Sequence, residues 1–395
     1  LIQSAFEGGG WEAVNALYEE PPQSAYYSAF SDSYGEVELR NVEVPDRSTD
    51  EWERITFDDG PNYDTIGVAG IFRALRTIPV LEDFASDIQE VCPRAWFLNY
   101  VNPMSMLSGF MQRYTDVKTV GLCHSYQNCV SGLLRSLGME EYVGKVAARI
   151  AGINHMAWVL DINYNGEDLY PEVRRRACEM NAKAMESEDN KHNDMVRFEM
   201  LRHFGHYNTE SSEHTAEYHP YFIKSQYPEM IDQLNIPLDL YMERCEKQIE
   251  NWKKQREKMV GNPELTHERT HEYASYIMEA MITNDALEVG GNVLNKGLIS
   301  NLPANACVEV PCLVNRNGVQ GAYVGELPEQ LAALNRTHIN VHLNTIEAAV
   351  ERSREKIYHA AMLDPHTRSE LTLDQIRNLC DDMIEAHGDM LPEFR

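Results

Sequence analysis

The sequence predicts an α/β fold, and three observations predict it. Apolar runs of strand length, "AWFLNYV" at 95–101 and "VKTVGLC" at 117–123, alternate with stretches of helical periodicity. The connections between them are long enough for β-α-β crossovers, which need a dozen or more residues. A hydrophobic content of 43% over 395 residues supplies one large or two ordinary cores.

The elements follow in order. Residues 17–62 are rich in Pro, Ser, Asp, Glu and Tyr without sustained periodicity and read as an irregular insert. Ile71, Leu75, Ile78, Leu81, Phe84, Ile88 and Val91 then keep helical spacing up to Pro93. The strand at 95–101 leads into a helix from Pro103 to about Tyr114. The strand at 117–123 leads into a helix from about Ser125 to Leu137, and a further parallel strand is expected near 147–162. Beyond residue 165 amphipathic spacing marks helices at 190–205, 238–258 and 270–283. A strand-rich patch at 306–325 turns at "NRNG", and 341–388 reads as helical. Ligands of such sheets collect at the carboxyl ends of strands, where "NYVNP" and "GLCHS" lie.

Composition excludes some functions. With 35 Lys+Arg against 62 Asp+Glu the formal charge is −27, a surface that repels nucleic acid and anionic membranes. No apolar run reaches the roughly 18 residues of a membrane span, and no secretory pattern opens the chain, so a cytoplasmic protein is expected. The eight cysteines form no C-x-x-C pair and are expected as free thiols. Neither G-x-S-x-G, Walker A nor G-x-G-x-x-G occurs.

Three groups could carry chemistry. Cys123 and His155 offer a thiolate and an imidazole that suit a divalent transition metal and leave positions for substrate oxygens; the alternative is a packing thiol and a hydrogen-bonded core histidine. The run 208–222 holds Glu210, Glu213, His214, Glu217, Tyr218 and His219, a pocket wall or a solvated polar face. Asp64 precedes a glycine-containing turn into a helix and is an N-cap or an acid delivered to a cleft.

Taken in order, "DTIGVAGIFRALRTIP", "NYVNPMSM", "TVGLCHS", "AGINHMAW", "TESSEHTAEYHPYFIK", "CVEVPCLV" and "YHAAMLDPHT" resemble glycoside hydrolase family 4, its melibiase-type α-galactosidases in particular, from about residue 64 to 395. The resemblance implies a partial Rossmann-like, lactate/malate dehydrogenase-like parallel sheet over 1–147, followed by a mostly helical α+β C-terminal domain over 148–395. It implies hydrolysis of small α-galactosides with NAD and Mn2+ or another divalent metal, outside the two-carboxylate scheme of most glycosidases. Oxidation at C3 of the sugar acidifies the C2 proton, a base removes it, the leaving group departs with an acid's help, water adds and the hydride returns. A homo-oligomer, dimer or tetramer, is implied as well.

By the same resemblance Cys123 and His155 are the metal ligands and Asp64 is the acid. Tyr218 is the base, with His214 and Glu213 as rivals. Asn102, His124 and Asn154 bind substrate, and Gly8, Gly9 and Asn102 border the cofactor. The match starts at "FEGGGWE", past the family's opening strand and glycine-rich turn, which predicts a truncated chain with weakened NAD binding. "DTIGVAG" also lacks the family's Gly-Pro-Gly-Gly, so the turn beside Asp64 is expected to differ. Two other readings stand beside this one: an NAD-dependent 2-hydroxy-acid-type oxidoreductase and a non-catalytic remnant lacking the cofactor site.

Overall fold

The computed structural model describes residues 65–238, 240–260, 269–270 and 272–395. Asp64, Gly8, Gly9 and the insert at 17–62 lie outside the described residues. The α/β architecture is present as one sheet whose spatial order is β1 (Trp96–Asn99), β2 (Lys118–Gly121), β7 (Leu287–Leu294), β8 (Cys307–Asn315), β3 (Ala147–Ile153), β4 (Met156–Tyr164) and β5 (Glu167–Asp168). The short β6 (Tyr207–Asn208) pairs with β4, and β9 (Gly318–Gly321) pairs with β8. Strands from both sides of residue 147 thus share this sheet.

Only β1 and β2 run parallel among the described strands, in register from Trp96 opposite Lys118 to Asn99 opposite Gly121. Helix α2 (Met104–Tyr114) supplies the crossover that lets them do so. The single parallel strand expected near 147–162 is instead an antiparallel hairpin, β3 and β4, turning at Asn154–His155. A two-residue link cannot bring the chain back to a parallel start, so the pairing is antiparallel by geometry. The hairpin at "NRNG" forms as expected, with Asn315 opposite Gly318 at a φ of 93°.

Strand β7 is an element that periodicity missed, because Gly290 and Gly291 depress its strand signal. Packing explains the glycines. A Cβ at 290 would sit 2.1 Å from the Tyr126 ring, and one at 291 would sit 2.8 Å from Cys312 Sγ.

Helices cover the sheet. α1 (Gly67–Val91) starts with Gly67 at a φ of 65°, so the one left-handed residue of that turn is glycine and Val68 is already helical. Its buried Ile71, Phe72, Leu75 and Ile78 form a core with α2, α10 (Glu329–Glu351), α11 (Arg354–Leu363) and α13 (Leu373–His387). α3 (His124–Ser136), α4 (Tyr170–Ala184) and α5 (Met195–Phe204) enclose a second core with β4 around Leu133, Val159, Val173 and Phe198. A third core joins the central strands to α6 (Ser212–Tyr218), α9 (Ala274–Thr283) and α10. The remaining helices are α7 (Glu229–Gln233), α8 (Leu240–Val260) and α12 (Thr367–Glu370). α8 falls mostly in a separate compact unit and is largely exposed from Glu246 onward.

One buried helix fixes the two segments that matter for chemistry. Asn335 of α10 accepts from Trp158 Nε1 at 3.1 Å and donates to the Met156 carbonyl at 2.7 Å, gripping β4 where it leaves the hairpin turn. One turn on, His338 donates through Nε2 to the Tyr218 carbonyl at 2.7 Å and so ties down the end of α6.

Two predictions follow from this packing. Gly290→Ala forces the Tyr126 ring aside and should cost about 1–3 kcal/mol, read as a lowered midpoint in urea denaturation. His219 and His342 are fully enclosed, and burial holds both imidazoles down to about 3, His338 adding to the effect. The unfolded chain protonates them below about 6.5 while the folded chain does not, so stability should fall with pH between about 6.5 and 3. Each ring contributes a slope of up to about 1.4 kcal/mol per pH unit. His342→Gln should flatten the slope by one such increment in denaturation curves at pH 7.5, 6.0 and 5.0.

Candidate active site

Three chain segments deliver a thiol, an imidazole and a carboxylate to one point. Cys123 follows β2 and is the residue just before α3, so its side chain emerges at the carboxyl end of a parallel strand. His155 occupies the tip of the β3–β4 hairpin at a φ of 60° and is 5% exposed. Left-handed backbone is unfavourable for a residue with a Cβ, and the Asn335 clamp on the neighbouring Met156 holds the turn nonetheless. Glu210 follows β6, with Oε1 taken by the Ser211 amide at 3.0 Å.

The donor atoms of Cys123, His155 and Glu210 all lie within 4.8 Å of one another. Glu210 Oε2 is 3.4 Å from His155 Nε2 and 3.8 Å from Cys123 Sγ. Atoms bound about 2.0–2.3 Å from one ion are separated by roughly 3–4 Å, so the spacing fits a shared metal. His155 itself is the sharper test. Its Nδ1 is buried without a partner while its Nε2 faces Glu210 Oε2 at 3.4 Å, so one ring nitrogen of this enclosed imidazole is left unsatisfied by protein.

Electrostatics agree with an ion-binding cluster. Burial, then the charges of Glu309 and Glu210, push the Cys123 thiol up to about 12. Such a thiol gives up its proton only to a strong positive charge. Burial would raise Glu210, but His155, His214, the Ser211 amide and Arg197 together hold its carboxyl below the usual range, ready as an anion.

Behind the donors stands Glu309 of β8, 1% exposed and pushed up to about 7 by burial. It accepts from Asn292 Nδ2 at 3.0 Å and Asn154 Nδ2 at 3.5 Å, while Oε2 has no partner. Asn154, expected to touch substrate, is 2% exposed and spends its amide on this network.

Helix α6 lines another side. The His214 ring stacks on His155 at 4.7 Å and 17°, and its Nδ1 is 2.7 Å from Glu217 Oε2. Burial works against a charged His214, and Glu217 outweighs it and raises the group. Tyr218 lies edge-on to His155 at 6.1 Å and packs on His338 at 4.7 Å. Glu213 is buried on the same helix.

The mouth is aromatic. His124, next to Cys123, stacks on Tyr100 at 5.5 Å and meets Tyr273 edge-on at 5.8 Å. Glu272 Oε2 is 2.7 Å from His124 Nε2, Tyr100 donates its hydroxyl to Glu272 Oε1, and Tyr273 donates to the Cys123 carbonyl at 3.0 Å. Asn102 is half-buried after β1 and accepts from the Met104 amide at 3.2 Å.

Cys123, His155, Asn154, His124 and Tyr218 thus gather in one region. Glu210, Glu309, Glu272, Tyr100 and Tyr273 were missed as members of it. Two of them left a trace: Glu210 opens the dense polar run at 208–222, and Glu309 is the lone charge in the apolar strand "CVEV". The cysteines Cys92, Cys123, Cys129, Cys178, Cys307, Cys312 and Cys380 are free. Among the described residues no helix is long and apolar enough to cross a membrane.

Comparison with known proteins supports this architecture. Residues 44–139 match the family 4 glycosyl hydrolases and residues 150–367 the family 4 glycosyl hydrolase C-terminal domain. An α-galactosidase of Bacillus subtilis (strain 168) is 59% identical, covering 84% of this chain and 75% of its own length. An α-galactosidase of Rhizobium meliloti (strain 1021) is 33% identical over 84% of this chain and 68% of its own. An α-galacturonidase of Thermoanaerobacter italicus is 28% identical over 82% and 73%. The fold is that of a 6-phospho-α-glucosidase from gut microorganisms solved in complex with NAD and Mn2+, at a TM-score of 0.69 and 21% identity, covering 87% of this chain and 78% of that one. The chain belongs to glycoside hydrolase family 4.

Proposed function

We propose that this protein hydrolyses α-galactosides, using NAD+ and a divalent ion held by Cys123, His155 and Glu210. One observation carries the chemistry: an enclosed imidazole with an unsatisfied Nδ1 lies with a thiol and a carboxylate at ligand spacing. The sugar is read from the 59% identical Bacillus subtilis α-galactosidase, and the pair of cofactors from the NAD and Mn2+ of the structural relative. The hydroxy-acid oxidoreductase reading is not favoured in a chain of this family.

When bound, the ion supplies Lewis-acid polarisation of sugar oxygens and NAD+ supplies a reversible hydride acceptor. The chain's residues do the rest. Cys123, as a thiolate, and Glu210 would together give two negative charges to hold a dication beside His155. Glu309 and Asn154 hold the hairpin tip against β8. His124 and Asn102 contact sugar hydroxyls. Tyr218, delivered by α6 beside His155, takes the C2 proton. Asp64 remains our acid for the leaving group, with Gly8, Gly9 and Asn102 bordering the nucleotide. We read the division near residue 147 as cofactor side against substrate side, and the protein as a cytoplasmic homo-oligomer.

Hydrolysis of p-nitrophenyl α-galactoside by the purified protein should require NAD+, Mn2+ and a thiol reductant together. Turnover with all three omitted overturns the proposal. Mn2+ should also raise the melting temperature of the wild type, by about 2.7 kcal/mol of added stability at a hundredfold excess over its dissociation constant. Cys123→Ser and His155→Ala should abolish that shift and Glu210→Gln should reduce it; an unchanged shift in all three variants places the ion elsewhere.

A further inference from the structure

The mouth of the site carries a charge whose position is fixed from two sides. Glu272 accepts from the Tyr100 hydroxyl on one oxygen and faces His124 Nε2 at 2.7 Å with the other. The rings it holds are braced in turn, Tyr100 by stacking on His124 and both by the edge of Tyr273. Tyr273 is anchored to the Cys123 carbonyl, so the carboxylate belongs to the frame of the donor cluster and not to a loose surface chain. Glu272 is still 42% exposed and His124 57%, so the group borders the space in which a sugar leaning on that cluster would lie.

The donated hydrogen bonds, Tyr100 first, hold the Glu272 carboxyl below its usual range and keep it an anion at neutral pH. The buried Arg197 is committed to Asp194. A sugar that brings its own carboxylate or phosphate into this space meets like charge that cannot swing away. A neutral hexoside meets only a hydrogen-bonding, aromatic wall. That family members differ on this point is visible in the relatives, one of which is an α-galacturonidase.

We propose that Glu272, clamped by Tyr100 and His124, is a specificity residue that selects neutral hexosides over uronates and phosphorylated sugars by fixed like-charge repulsion. The proposal rests on the α-galactosidase reading. Its test compares p-nitrophenyl α-galactoside with p-nitrophenyl α-galacturonide for wild type, Glu272→Gln and Tyr100→Phe, with NAD+, Mn2+ and reductant present. Wild type should favour the neutral substrate in kcat/KM. Glu272→Gln should move the ratio toward the uronide by at least tenfold, chiefly through the KM of the uronide. Tyr100→Phe removes a brace and keeps the charge, so it should leave the ratio within about threefold.

An unchanged ratio in Glu272→Gln, or an equal loss on both substrates, makes Glu272 a packing residue only and overturns the proposal. Calorimetric binding of galactose and galacturonate to the Mn2+-loaded protein repeats the comparison without turnover. If wild type hydrolyses neither glycoside, the α-galactosidase reading fails, while a uronate preference gained in binding by Glu272→Gln still upholds the charge selection. Equal wild-type affinity for the two sugars overturns it.

Discussion

A buried imidazole with an unsatisfied ring nitrogen is the constraint on which this structure turns. Leaving such a group unsatisfied costs about 1–3 kcal/mol, and folds rarely retain it without use. His155 is held in that condition deliberately in the mechanical sense: it caps a two-residue hairpin with left-handed backbone, and Asn335 of α10 grips the next residue from behind. The antiparallel β3–β4 pairing, the long α10 helix and the short β6 that brings in Glu210 all bear on where this one ring points.

Charge explains why the cluster suits a dication. A thiol raised to about 12 and a carboxyl held low lie beside Glu309, whose own carboxyl burial raises to about 7. Without positive charge the Cys123 thiol and Glu309 are disposed to keep their protons beside the Glu210 anion; a cation would make each a favourable ligand or neighbour. The same logic extends outward. Glu272 stands at the mouth among aromatic rings, where its charge acts on whatever approaches the donors.

Much of this was legible in the chain. Helix α1, the strands β1 and β2, helices α2 and α3 and the β8–β9 turn follow from apolar spacing and turn residues, which are local signals. The pairing direction of 147–164 was not, because a hairpin tip of Asn and His carries no glycine to announce it. Strand β7 was hidden by Gly290 and Gly291, residues chosen for what packs on them, Tyr126 and Cys312, and not for their own strand preference. The site divides the same way. Cys123 and His155 stood out by residue type and motif, whereas Glu272 and Tyr273 border the site only because the chain brings them back to His124 and to the Cys123 carbonyl.

By itself the sequence determined the α/β class and the family, and singled out Cys123 and His155 as a candidate pair, because these depend on local periodicity and on residue types in fixed order. Tertiary structure alone decided that Glu210 is their third partner, that Glu309 lies behind them and that a clamped carboxylate guards the entrance. Those are distances between segments far apart in the chain, set by strand order and helix packing, and no spacing along the sequence encodes them.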